Sequence, residues 1–421
     1  MLEKMLVKGG IKLNGEVTIS GSKNAALPIL AATLLTRQEC IIENVPFLSD
    51  IKYIIEILNH LGLNAVHHDN GTVTTKVMEE KAVTAPYELV RKMRASVCVL
   101  GPLLAKRKEA NVSLPGGCVI GLRPINLHLK GMKALGANIE IQHGYINAKA
   151  DELRGSEIFL GGQFGSTVLG TANVMMAAVL AKGITIIENA ACEPEIQDLA
   201  KFLISMGAKI KGAGTHCISI EGVEELVGAR HRIIADRIET GTFMAAATIT
   251  KGDLKIKGAQ LGHLAAAVDK LKEIGVKITR EYDCIRVTGS DSYNFCELTT
   301  MPYPGFPTDL QAQFVAILSL VPGMNLVTEK VFPDRFMHVA ELNRMGAKIH
   351  KEGSTIIVEG VESLSGAPVM ASDLRASAAL VLAGLVAKGE TIVNRLYHLD
   401  RGYEKQNKKQ KKLGANIKRI S

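Results

Sequence analysis

The chain has 421 residues, 47% of them hydrophobic but only 4% aromatic, with 40 glycines and no tryptophan. That length suits two domains better than one, with cores of Ala, Val, Leu and Ile. The net charge of +8 is almost wholly local, because eight basic residues and one acid, Glu404, lie between Arg401 and Ser421; such a lysine run is ordinarily a solvated face, and with no interleaved aromatics to stack bases it argues against nucleic acid as a partner.

Taken in order, the chain opens with strands at 4–8 and 16–20. An Ala-rich apolar helix follows at 24–35, and similar ones recur at 94–104, 170–181, 241–249, 309–320 and 374–387. They are apolar nearly all round, which places them in a core. Out of phase with them runs a second signature, a helix end followed by Gly, a small apolar residue and a strand. It occurs at Leu61-Gly62-Leu63, Leu135-Gly136-Ala137, Met206-Gly207-Ala208, Ile274-Gly275-Val276, Met345-Gly346-Ala347 and Leu413-Gly414-Ala415, at intervals of 68 to 74 residues. Each glycine is a left-handed helix stop, and six copies make an internal repeat. The lysine-bearing helices at 264–274 and 339–345 are amphipathic and belong outside. Gly212-Ala213-Gly214 lacks the third glycine and following helix of a dinucleotide fingerprint and reads as a hairpin turn.

Three units per domain is the simplest partition. Residues 1–20 plus 235–421 are expected to form one discontinuous domain and 21–234 the other. Helices buried along a domain axis gather their N-termini at one face, an anion site. Lys23, Arg94, Thr171, Thr242, Asp309 and Arg375 are expected at those starts, and two such faces opposed would make a cleft for phosphates and carboxylates.

The seven cysteines include no C-x-x-C pair, and no HExxH occurs, so neither zinc ligation nor a disulfide framework is indicated and no metal or cofactor is expected. The first residues lack a signal-peptide core and no apolar run is long enough to span a bilayer. A soluble protein of a reducing cytoplasm is expected, with no membrane insertion.

One cysteine stands apart. Residues 114–128 read Leu-Pro-Gly-Gly-Cys-Val-Ile-Gly-Leu-Arg-Pro-Ile-Asn-Leu-His. Three glycines and two prolines exclude a helix or central strand, so Cys118 sits on a loop, with Arg123 near enough in sequence to favour its thiolate. A loop with a reactive thiol and an anion clamp reads as an active-site lid. Elsewhere, Lys23 opens the first buried helix. Asp309 follows the Pro- and Gly-pinned turn 303–308, where an N-cap is the plain alternative. Asp236 is read as a structural ion-pair member.

These motifs are similar to those of the enolpyruvyl transferases. Pro-Gly-Gly-Cys with Gly-x-Arg-Pro resembles the family's catalytic loop. Ser22-Lys23-Asn24, Met93-Arg94-Ala95-Ser96, Asp236-Arg237-Ile238-Glu239 and residues 303–311 match further family segments, spread over the full chain. The resemblance implies a two-domain inside-out α/β barrel of six similar units. It implies transfer of the enolpyruvyl group of phosphoenolpyruvate to the 3-hydroxyl of UDP-N-acetylglucosamine, the first committed step of peptidoglycan synthesis and the target of fosfomycin. The partners implied are those two small molecules. Cys118, Asp309, Lys23 and Arg401 would be catalytic. Lys23, Asn24 and Arg123 would hold phosphoenolpyruvate, and Arg94 the substrate. Arg123, Pro124, Ile125, Asn126 and Leu127 would grip the nucleotide, although the family commonly has Asp where this chain has Asn126. Gly165, Ser166, Thr167 and Val168 would meet the diphosphate and Val331 the nucleotide, near Arg335. Arg375 and Arg401 would bind carboxylate and phosphate, and Asp373 would either assist proton transfer or only fix the arginines. The alternatives are the sister reaction on shikimate 3-phosphate and a non-catalytic nucleotide-sugar sensor.

Overall fold

Gly62, Gly136, Gly207, Gly275, Gly346 and Gly414 all carry φ between 89° and 105°, the left-handed conformation that ends a helix and that residues with a Cβ avoid. Each follows an outer helix (Ser49–His60, Asn126–Ala134, Pro194–Ser205, Ala265–Glu273, Met337–Arg344 and Gln406–Lys412) and leads within two residues into a strand. The repeat read from the sequence is therefore a repeat of structure.

The computed structural model describes residues 3–115, 124–163 and 165–420. In the second, third and fifth repeats a central helix joins two parallel strands, and an outer helix then leads to an antiparallel hairpin on the same sheet. Thus Glu297–Thr300 pairs in parallel with Met324–Glu329 across the helix Thr308–Leu318, and Thr355–Glu359 and Lys348–Glu352 complete the sheet. There are six four-stranded sheets, and in the second, third, fifth and sixth a central helix is the direct crossover between the parallel pair.

Three strands come from outside their own repeat. Lys4–Lys8 lies between Glu390–Asn394 and Asn416–Ile420 and completes the sixth sheet. Asn14–Thr18 starts the fourth, parallel to Asp253–Lys257. Arg230–Arg232 closes the first beside Cys40–Glu43. Contacts accordingly divide the described chain into two units, one of residues 3–20 and 235–420, the other of 21–115, 124–163 and 165–234. Each has its own apolar core.

The central helices are Lys23–Ala32, Leu100–Arg107 with a 3-10 turn Arg94–Val99 before it, Val168–Ala178, Arg237–Ile249, Thr308–Leu318 and Leu374–Gly384. They are buried on nearly all sides. Small residues let them approach closely: a Cβ on Gly101 would stand 2.3 Å from the Asn173 carbonyl oxygen.

Four details depart from the sequence reading. The second strand is Asn14–Thr18, two residues early. Thr171 and Thr242 do not start their helices, because Thr167 and Asp236 cap them upstream. Asp236 accepts from the amides of Ile238 and Glu239 as an N-cap, and its charge also favours that of Arg375. The second central helix is broken, and the break has a visible cause. Its helical bond from the Gly101 amide to the Val97 carbonyl is replaced by the Asn173 side chain. Asn173 Oδ1 takes the Gly101 N–H at 2.7 Å, and Asn173 Nδ2 donates to Val97 O at 2.8 Å. A side chain inserted in this manner is a recognised way to break a helix without orphaning its polar groups. Residues 212–214 do form the turn between the strands Lys209–Lys211 and Cys217–Glu221. No described helix is long and apolar enough to cross a membrane.

Candidate active site

In the unit of residues 21–234, Ser22 caps the first central helix through the Ala25 amide, which puts Lys23 in its first turn. A cation there opposes the helix dipole and, being buried, needs an anion. Asp50, in the first turn of the outer helix Ser49–His60, supplies it, with Lys23 Nζ 2.9 Å from Oδ2. Asn24 follows, half-buried, and Arg94 opens the 3-10 turn, also half-buried.

Two of the segments expected to meet the nucleotide touch within this unit. Pro124 and Ile125 lead into the helix Asn126–Ala134. His128 Nδ1 on that helix is 3.1 Å from Asn173 Nδ2 on the third central helix. Gly165 and Ser166 pair with Gly161 and Gly162 as a small hairpin, and Thr167 then caps the helix through Gly170, with Val168 its first residue. A Cβ on Gly162 would be 3.2 Å from Leu127 Cδ1, so the hairpin and the start of the Asn126–Ala134 helix touch. Cys118 and Arg123 lie outside the described residues.

In the unit of residues 3–20 and 235–420, two helix starts and a loop meet at one carboxylate. Asp309 is the second residue of its helix and caps nothing; Pro307 holds the cap position without a side-chain bond. Its Oδ1 accepts from Arg335 at 2.8 Å and its Oδ2 from Arg375 at 2.9 Å. Burial alone would raise this carboxyl's pKa, but the Arg375 and Arg335 guanidiniums override it and hold the group well below the ordinary carboxylate range. Burial works against the Arg375 charge too, and Asp309, with Tyr403 and Asp236, more than restores it. Asp373 caps the sixth central helix through the amides of Arg375 and Ala376 and so fixes the backbone that carries Arg375. Arg401 ends the short helix Tyr397–Asp400, half-buried. Val331 is placed by Glu329, whose Oε1 takes the amides of Val331 and Phe332, each at 2.9 Å.

Several of these supports carried no expectation. Asp50, Glu329, Tyr403, Gln313 and His338 are buried partners of the expected residues or their neighbours. Only Asp50, an acid in a first helical turn, left a local signal. His338 is buried near Arg335; burial, with Arg335 adding and Asp373 opposing, pushes its imidazole down to about 4. Among the described residues no cluster of His, Cys, Asp and Glu is arranged to hold a metal ion.

The arrangement offers an ionised carboxylate framed by two guanidiniums in one unit and a buried lysine at a helix start in the other. Those are groups for orienting a hydroxyl and binding anions. The fold is similar to that of the enolpyruvyl transferase NikO from Streptomyces tendae, with a TM-score of 0.91 at 24% identity over 100% of this chain and 99% of that one. It is also similar to EPSP synthase from Acinetobacter baumannii, with a TM-score of 0.78 at 18% identity over 100% of both chains. A family profile described as EPSP synthase (3-phosphoshikimate 1-carboxyvinyltransferase) matches residues 7–409. Two curated relatives are each called UDP-N-acetylglucosamine 1-carboxyvinyltransferase. The one from Methylacidiphilum infernorum is 57% identical over 421 residues, 100% of this chain and 99% of its own. The one from Geotalea uraniireducens is 54% identical over 419 residues, 100% of both. The chain belongs to the enolpyruvyl transferase family of EPSP synthase, and within it to the UDP-N-acetylglucosamine 1-carboxyvinyltransferases.

Proposed function

We propose that the chain transfers the enolpyruvyl group of phosphoenolpyruvate to the 3-hydroxyl of UDP-N-acetylglucosamine and releases phosphate. The observation that carries this is the 57% identity, end to end, with a relative of that name. The site chemistry agrees with it. In the addition step the hydroxyl oxygen bonds to C2 of phosphoenolpyruvate, C3 takes a proton, and the hydroxyl gives one up. In the elimination step C3 returns a proton and the C2–O bond to phosphate breaks.

Asp309 is the residue for the hydroxyl. Clamped by Arg335 and Arg375 it stays ionised, so it orients the hydroxyl and receives its proton only as bond formation to C2 makes that proton acidic. Lys23, Asn24, Arg375 and Arg401, with Arg123, are the groups for the phosphate and carboxylate, and Arg94 contacts the substrate. Asp373 acts by setting the Arg375 backbone. Cys118 is assigned the proton at C3 or addition to C2. Pro124 to Leu127, Gly165 to Val168 and Val331 are assigned to the nucleotide; the touching of Leu127 and Gly162 supports grouping the first two segments. The reaction opens peptidoglycan synthesis, which places the protein in the cytoplasm.

Mixing the protein with both substrates and measuring phosphate tests the reading. Release that requires UDP-N-acetylglucosamine supports it. Release with shikimate 3-phosphate instead would make the sister reaction correct, and nucleotide-sugar binding without release would make the protein a sensor.

A further inference from the structure

Tyr403, Gln313 and Thr242 are buried polar side chains on three separate segments, and none is among the groups assigned to substrate above. Thr242 has one hydroxyl proton, and it goes to the Ile238 carbonyl one turn back, at 2.8 Å. The 2.9 Å contact between Thr242 Oγ1 and Tyr403 Oη therefore requires the phenol to donate. Burial pushes that phenol's pKa up, so it keeps the proton it donates. With that proton spent, the Tyr403 oxygen acts as an acceptor. Gln313 Nε2 donates to it at 3.1 Å and also lies 3.1 Å from Thr242 Oγ1 and 3.0 Å from the Asp309 carbonyl. The triad ties the fourth and fifth central helices to the segment after Arg401.

The ring of Tyr403 lies under Arg375, whose guanidinium carbon is 5.3 Å from the ring centroid. Arg375 gives Nη2 to Asp309 Oδ2. Its Nη1 is buried and makes no geometric hydrogen bond among the described residues, while the Tyr403 phenol beside the guanidinium favours its charge. A guanidinium beside a carboxylate readily closes on it with both nitrogens, and a buried N–H left unpaired is costly. Here Arg335 already occupies Asp309 Oδ1, which leaves Arg375 one oxygen, and the ring fixed by Thr242 and Gln313 is the rigid surface against its fork.

We propose that Tyr403 is a positioning residue for the transfer reaction: anchored through its hydroxyl, it holds Arg375 so that one terminal nitrogen serves Asp309 and the other is kept for an anionic group of phosphoenolpyruvate. This rests on the function proposed above. Tyr403→Phe in the full chain keeps the ring and removes the anchor. The KM for phosphoenolpyruvate rises about tenfold, the effect of removing one charge-assisted hydrogen bond. The KM for UDP-N-acetylglucosamine stays within about twofold, and the thermal midpoint holds. Thr242→Val, which removes the phenol's acceptor, moves the same constant in the same direction, and the double variant goes no further than the larger single effect. Equal movement of both KM values, a midpoint falling in step with them, or no movement at all overturns the proposal. A parent that does not turn over would instead refute the reaction. The rise in midpoint caused by phosphoenolpyruvate then reads the site directly: a smaller rise in Tyr403→Phe than in the parent supports the proposal, and an equal rise overturns it.

Discussion

Replacing Asp309 by Asn separates the structural from the chemical duty of this carboxylate. In the parent it neutralises Arg335 and Arg375, whose side chains are only 7% and 4% exposed. Breaking a buried ion pair from one side costs about 3–5 kcal/mol. The amide keeps one acceptor oxygen and nearly the same shape, so the lower end, about 3 kcal/mol, is expected. For a unit of this size that is roughly 6–12 °C in the thermal midpoint. The sign of the pH dependence follows from the direction of the shift. The folded carboxyl is held below its unfolded value, so its stabilisation is present above the unfolded carboxylate range and is lost as pH falls through that range toward the folded value. The deficit of Asp309→Asn is therefore constant from neutrality down to about pH 5 and narrows below about pH 4. Turnover behaves differently. An amide orients a hydroxyl but takes no proton, and a general base is worth about 10²–10⁴-fold. Phosphate release at saturating substrates should fall by that factor at a temperature where the variant is folded, with nucleotide-sugar binding by calorimetry within about threefold of the parent. A destabilised variant that still turns over within a few-fold would make Asp309 a counter-ion for two arginines and nothing more.

Asn173→Leu should destabilise its unit by about 2–6 kcal/mol, since the Val97 carbonyl and the Gly101 amide both lose their partner at about 1–3 kcal/mol each; a urea midpoint shift worth less than about 1 kcal/mol would show that the broken helix heals itself. His338, neutral in the folded chain down to about 4 against about 6.5 unfolded, contributes stability that is present above pH 6.5 and lost as pH falls toward 4. Stability should decline across that window by on the order of 3 kcal/mol, and His338→Gln should flatten the decline; an unchanged slope would mean that other groups cause it. Fosfomycin, an epoxide phosphonate, should add once, to the peptide containing Cys118. Burial pushes the thiols of Cys98 to about 12 and Cys296 to about 11, and that of Cys40 upward, away from the reactive thiolate. Cys217 is exposed and is the competitor to watch: intact-mass spectrometry with peptide mapping that finds the adduct on Cys217 alone would contradict the assignment of Cys118.

What the sequence announced and what it hid divide by distance along the chain. The six left-handed glycines were legible because a helix stop is written in one or two adjacent residues. The central helices were legible because an apolar surface all round has no place outside a core. The cap at Asp236 is also written locally, in Asp236-Arg237-Ile238-Glu239, a capping-box pattern whose adjacent charges suggest an ion pair as readily. The break in the second central helix was not legible, because the residue that causes it, Asn173, is 72 positions from Gly101. The same holds for the clamp on Asp309. Composition offers many arginines, and only the adjacency of two helix starts selects Arg375, 66 positions away. Family likeness named Asp309 and both arginines, but not that the three form one cluster, nor that Tyr403 lies beneath it.

The central claim is enolpyruvyl transfer by addition and elimination, with the C2–O bond broken. The most direct measurement uses phosphoenolpyruvate carrying a heavy oxygen isotope in the bridge between C2 and phosphorus, together with UDP-N-acetylglucosamine, and weighs both products. The account predicts the heavy oxygen in the released phosphate and an unlabelled nucleotide sugar heavier by one enolpyruvyl group, in equal amounts. Heavy oxygen retained in pyruvate or in the sugar product, or a phosphorylated sugar, would contradict it.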